Sequence, residues 1–186
     1  MPINAARGEL PHALPQNAVA IDFETADQQP DSACAVGLAR IENGAVTGTL
    51  YQLLRPPRQR VLFTWVHGLT WPMLRHQPSF AEFWPRMASF LGDTPYFVAH
   101  NAPFDRMVLK SCLWAMGLPM NTPFLCTLKG ARRSLGLPKN RLSDVCGHLG
   151  IELTHHHAAS DALAAARIYL HFCRAGLCLE DLRIRD

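Results

Sequence analysis

The sequence predicts an α/β fold with a mixed sheet flanked by helices, and three observations carry the prediction. Three short β-favouring segments linked by tight turn residues open the chain as an antiparallel meander. Strand and helix patterns then alternate toward the C-terminus. With 186 residues and 48% hydrophobic content, the chain suits one domain with a single sizeable core.

Residues 1–17 contain prolines and no clear period, which reads as a loose leader before one domain at 18–186. Residues 18–25 are an apolar run ending in charge, the pattern of a buried strand, and 33–41 are rich in small and β-favouring residues. Glu42-Asn43-Gly44 supplies a turn into a third strand near 49–54. A proline-rich loop follows. At 80–91, Phe80, Phe83, Trp84, Met87, Phe90 and Leu91 recur at helical spacing until Gly92 stops them. Residues 96–99 read as a fourth strand, 104–116 as a helix closed by Gly117 and Pro119, and 124–126 as a fifth strand. Helical stretches at 127–135, 142–149 and 159–174 complete the pattern, with Gly136 and Gly150 ending the first two.

Composition narrows the function. The apolar runs are short and broken by charge or proline, so the expectation is a soluble, cytoplasmic protein with no membrane partner. Six cysteines show no CxxC pairing and read as small buried hydrophobes rather than a disulfide or zinc framework. A net charge of +3 is too small to announce a nucleic-acid binder, but its distribution is uneven. No acid occurs at 45–81, which holds Arg55, Arg58, Arg60 and Arg75, or at 129–141, which holds Lys129, Arg132, Arg133, Lys139 and Arg141. Either stretch serves as a phosphate track or as a solvated face.

The chemistry is concentrated in three short pieces: Asp22 and Glu24 in AIDFET, Asp105 in HNAPFD, and His156 and Asp161 in HHHAASDA. Alternate residues of a strand share a face, so Asp22 and Glu24 project together while Phe23 projects oppositely. Pro103 marks the start of a helix whose first turn contains Asp105, where an acid is stabilised by the helix dipole. Asn101 either holds the preceding turn or orients a ligand, and His100 reads as structural. Asp161 opens an alanine-rich helix after His155, His156 and His157, and an imidazole there suits either proton transfer from water or metal ligation. Four carboxylates gathered by one fold need cations, and an oxygen-rich set selects Mg²⁺ or Mn²⁺. Two such ions form a clamp for phosphoryl transfer. Three adjacent histidines also invite a zinc reading, but neighbouring residues rarely all reach one ion and no cysteine lies nearby.

Taken together, these pieces resemble the DnaQ-like, or DEDDh, family of 3′→5′ exonucleases, over residues 18–170. The first motif is matched by Asp22, Glu24 and Thr25, the second by Asn101 through Asp105, and the third by His156 five residues before Asp161. The resemblance implies an RNase H-like fold with a five-stranded mixed sheet. It also implies two divalent ions and release of nucleoside 5′-monophosphates from a 3′ end. Because the scissile phosphate must reach a recessed metal pair, single-stranded or frayed ends are the expected substrate, with DNA expected over RNA although the same chemistry serves both. Asp22, Glu24, Asp105 and Asp161 would hold the metals and His156 would be the general base. Family members carry a segment like Val66-His67-Gly68-Leu69-Thr70 near the terminal nucleotide. The implied substrate contacts are therefore Thr25, Phe23, His67, Leu69 and Asn101, with loop packing as the other role for His67 and Leu69. A polymerase or repair assembly is the implied kind of partner. The competing function is a catalytically silent module that grips nucleic-acid ends, which would have no need to retain a costly carboxylate cluster.

Overall fold

The computed structural model describes residues 13–154 and 156–184. Strands β1 (Ala18–Thr25), β2 (Ala33–Glu42) and β3 (Ala45–Leu53) form the antiparallel meander, and β4 (Phe97–Ala99) and β5 (Phe124–Cys126) extend the sheet in parallel to give the order β3-β2-β1-β4-β5. The third strand begins four residues earlier than its sequence pattern suggests. Asn43 and Gly44 both take positive φ, 51° and 75°, as a two-residue hairpin requires, so pairing resumes at once with Glu42 opposite Ala45.

Helices cover both faces. Alternate residues of β1, namely Val19, Ile21 and Phe23, enter one core with Phe80, Phe83 and Met87 of α3 (Phe80–Leu91) and Val108 and Leu109 of α4 (Ala102–Trp114). Ser79 starts α3 with a reciprocal cap, accepting from the Glu82 amide at 3.3 Å while its own amide donates to Glu82 Oε2 at 2.7 Å. Ala18 and Ala20 point the other way, into a second core with Val145 of α6 (Leu142–Leu149) and Ala165, Tyr169 and Phe172 of α7 (Ala158–Arg174). Helix α5 (Thr127–Ser134) packs on that side as well, its Gly130 lying against Phe172.

The loop after β3 contains two single helical turns, α1 (Thr64–His67) and α2 (Trp71–Leu74), and a third, α8 (Leu179–Leu182), follows α7. Four-residue turns are too short to show a hydrophobic period, the main helical signal in a sequence. Residues 13–17, expected in the leader, are tied to the domain. Leu14 is buried, Ala13 bridges to Cys178, and the Tyr169 hydroxyl donates to the Pro15 carbonyl at 2.7 Å. Among the described residues no helix is long and apolar enough to cross a membrane.

Candidate active site

Asp22 and Glu24 continue the face of β1 that carries Ala18 and Ala20, so both look toward α7 at the end where the strand runs out of the core. That interface is built from very small side chains. Ala18, Ala20 and Ala39 of the sheet meet Ala164, Ala165 and Ala166 of the helix region, allowing close approach. Gly37, the register partner of Asp22, makes the approach closest: a Cβ there would lie 2.0 Å from the Ala158 carbonyl oxygen. The first turn of α7 is thereby seated on β2, and Asp161 is brought beside β1.

Asp105 arrives from the other side of β1. It lies in the first turn of α4, is 1% exposed, and its Oδ1 accepts the Phe23 amide at 3.0 Å. Asn101 precedes the helix at φ 70°, a left-handed conformation that asparagine tolerates better than most residues, and its side chain makes no capping bond. Of its two sequence roles, the structure displays the turn. His100 is structural, bonded to Thr127 Oγ1 at 3.0 Å and the Asn140 carbonyl at 2.9 Å.

The histidine piece is sharply divided. His156 takes φ 56°, again left-handed, just before α7. One ligand atom from each of Glu24, His156 and Asp161 lies within 4.8 Å of the others. His157 turns instead onto Tyr51, with ring centroids 4.7 Å apart at 26°, and its carbonyl accepts the Asp161 amide. His155 lies outside the described residues.

Crowding shows in the acidities. Burial raises the Asp22 carboxyl well above its usual range, and Asp105, Asp161 and Glu24 raise it further. Asp105 is also raised, by burial against the opposing pull of the Phe23 amide. Glu24 is pushed up to about 7 by burial and by Asp161. Carboxylates that resist ionisation in one another's company, with an imidazole at their edge, form an oxygen-rich donor set that fits a hard divalent cation.

The family model described as Exonuclease, of the RNase T type, matches residues 19–169. The chain belongs to the DnaQ-like exonuclease family. It is 34% identical over 161 residues to the PolC-type DNA polymerase III of Thermotoga maritima, an alignment covering 83% of this chain but only 12% of that protein. It is 30% identical over 172 residues to the DNA polymerase III subunit epsilon of Pasteurella multocida, covering 84% of this chain and 68% of the other. Exonuclease X, solved in complex with 5′ overhanging duplex DNA, superposes with a TM-score of 0.69 at 25% identity, covering 89% of this chain and 96% of that one. The nuclease domain of 3′hExo, a DEDDh family member bound to rAMP, gives a TM-score of 0.73 at 18% identity over 92% and 96% of the two chains, which shows the shared RNase H-like fold.

Within this member of the DnaQ-like family, the expected substrate contacts are unevenly placed. The Phe23 side chain is 3% exposed and packs near Phe80, so its ring is not available to a nucleotide; what Phe23 contributes is the amide that holds Asp105. Thr25 and Leu69 are each 8% exposed, and Leu69 packs with Ala26, Cys34, Leu74 and Ala158. His67 is a tie. Its Nδ1 accepts the Leu69 amide at 3.0 Å, so a neutral ring carries its proton on Nε2 and donates it to the Thr25 carbonyl at 3.2 Å. Burial favours that neutral form. The residue that sequence reading missed is Gly37, and the available signal was a lone glycine inside a strand pattern, which marks close backbone approach.

The raised carboxyls make metal stabilisation pH-dependent. A carboxyl with a folded pKa above its unfolded value, about 7 against 4.5 for Glu24, binds extra protons in the folded state, so its contribution to stability falls as pH rises through that window. A divalent ion bound by these carboxylates would replace those protons. His67 and His100, both lowered by burial, act in the opposite sense, but their contribution cancels when metal-loaded and chelated samples are compared at one pH. The rise in melting temperature on adding Mn²⁺ or Mg²⁺ is therefore expected to grow from about pH 5 to about pH 8. An increment that stays flat across that range would contradict the assignment of these carboxylates as ligands.

Proposed function

We propose that this chain is a metal-dependent 3′→5′ exonuclease acting on single-stranded or frayed ends, DNA in preference to RNA. The observation that carries the proposal is the meeting of Glu24, His156 and Asp161 within 4.8 Å on the face of β1 that also presents Asp22, with Asp105 bonded to the same strand. Asp22, Glu24, Asp105 and Asp161 would hold two ions, Mg²⁺ or Mn²⁺. Bound there, such ions supply Lewis-acid charge to a phosphodiester and its leaving oxygen.

The chain's own groups account for the rest. A ring nitrogen of His156 would take a proton from a water attacking the terminal phosphorus, as the bond to the 3′ oxygen of the preceding nucleotide breaks, that oxygen takes a proton from solvent and a nucleoside 5′-monophosphate leaves. His67 fixes the end of β1 through the Thr25 carbonyl, and Gly37 fixes α7 against β2, so the two elements that deliver carboxylates keep their spacing. The DNA preference and a polymerase as partner are supported by the relatives named as DNA polymerase III components, of which the PolC-type chains are about eight times longer than the matched region. We also propose that residues 18–186 act as one domain and that the protein works in the cytoplasm.

The test is an end-labelled comparison of single-stranded DNA, duplex DNA and short RNA. Mg²⁺- or Mn²⁺-dependent shortening from the 3′ end, abolished by chelator, is expected, fastest on single-stranded DNA. Cleavage that persists in excess EDTA or starts beyond a blocked 3′ end would overturn the proposal.

A further inference from the structure

The acid-free run at 129–141 separates in three dimensions into two groups. Lys129 donates to the carbonyls of Glu180 and Arg183, each at 2.8 Å, and Arg133 pairs with Asp181 at 2.6 Å. Those two cations fasten α5 to the C-terminal turn at 179–182. Arg132, Lys139 and Arg141 turn elsewhere and converge on an open cleft of about 580 Å³, shared with His100, Asn101 and Asn140. No carboxylate lines the cleft, and among the described residues none of its three cations forms an ion pair.

Its position follows from His100. The Asn140 carbonyl can only accept, so His100 Nε2 donates to it at 2.9 Å, and Nδ1 takes the Thr127 hydroxyl at 3.0 Å. The loop carrying Lys139 and Arg141 is thereby stitched to the end of β4, the strand that leads through Asn101 into Asp105. The cleft, through His100 and Asn101, and Asp105 of the carboxylate site both follow directly from the end of β4. Phe, Tyr and Trp are absent from the cleft lining, so what it offers is chiefly positive charge and hydrogen-bond donors.

We propose that Arg132, Lys139 and Arg141 form a phosphate-binding cleft that grips the sugar-phosphate backbone of the strand whose 3′ end occupies the carboxylate site. This rests on the exonuclease reading and adds what that reading lacks, a sequence-independent hold on the part of the substrate that is not being cut. It also divides neighbours: Arg132 binds substrate and Arg133 does not.

The test compares Arg132→Gln/Lys139→Gln/Arg141→Gln with Arg133→Gln, using a 5′-labelled oligothymidylate of about 20 nucleotides. At low salt the triple variant is expected to raise KM about tenfold, with a much smaller change in kcat. Its log–log salt slope of binding should fall by about 2, since each single-strand phosphate contact contributes roughly 0.7. Arg133→Gln should leave KM and slope as in the parent. Binding is also read by fluorescence anisotropy in metal-free buffer, so failure of the parent to trim any 3′ end would sink the exonuclease reading while leaving the cleft measurable. An unchanged slope in the triple variant, or equal flattening by Arg133→Gln, would overturn the cleft.

Discussion

Asp161→Asn and Asp22→Asn are each expected to lower turnover by 10²- to 10³-fold or more while making the chelated protein more stable. The two effects have one cause. Asp161 sits 9% exposed at the head of α7, facing Glu24 and His156, and Asp22 is raised by burial and by three neighbouring acids. Without a cation, each carboxylate is held at a cost to the fold, and asparagine removes that charge at nearly unchanged size. With a cation, the same charge is what the site contributes to catalysis. Single-turnover rates in saturating Mn²⁺, beside melting temperatures in chelator, give both readings on one sample. A near-normal rate in either variant would remove that residue from the metal-ligand set.

His156→Asn is expected to cost about 10²- to 10⁴-fold in turnover, with His157→Ala and His155→Ala costing far less. Asparagine is the informative replacement because residue 156 stands at φ 56°, where alanine would strain the turn and confuse lost chemistry with lost geometry. The imidazole of His156 is the one brought to Glu24 and Asp161, while that of His157 lies flat on Tyr51. Rates at saturating substrate, with oligonucleotide binding measured in parallel, distinguish a lost base from a lost binding contact. If His157→Ala were the crippled variant and His156→Asn stayed active, the register of the third motif would be wrong although the exonuclease reading survived.

What could be read from the sequence was whatever depends on local spacing. The separation of two in Asp22-Phe23-Glu24 sets which side chains share a face, and the helical periods at 80–91 and 142–149 mark α3 and α6 to the residue. The parts that could not be read depend on distant partners. Nothing near Arg133 announces that Asp181, 48 residues on, claims it while Arg132 stays in the cleft. Gly37 likewise looks like a weak point in a strand until Ala158 lies against it. Phe23 shows a limit of motif matching, because a position inside a motif contributed its amide rather than its ring. The single turns at 64–67 and 71–74 were hidden by length, although Pro72 at the start of the second is a helix-opening residue.

The left-handed turn at His156 also separates the centre into parts of unequal permanence. Asp161 belongs to a helix whose inner face is locked between alanines, and Asp105 is bonded to the central strand, so neither can leave without opening the interior. His156 is exposed and lies outside the helix. The carboxylates are thereby anchored between the sheet and its helices, whereas the histidine stands on a surface turn, where local opening exposes little buried area. On the proposed roles, the groups that would hold cations are built into the scaffold, while the proton acceptor is set by the conformation of a single backbone turn.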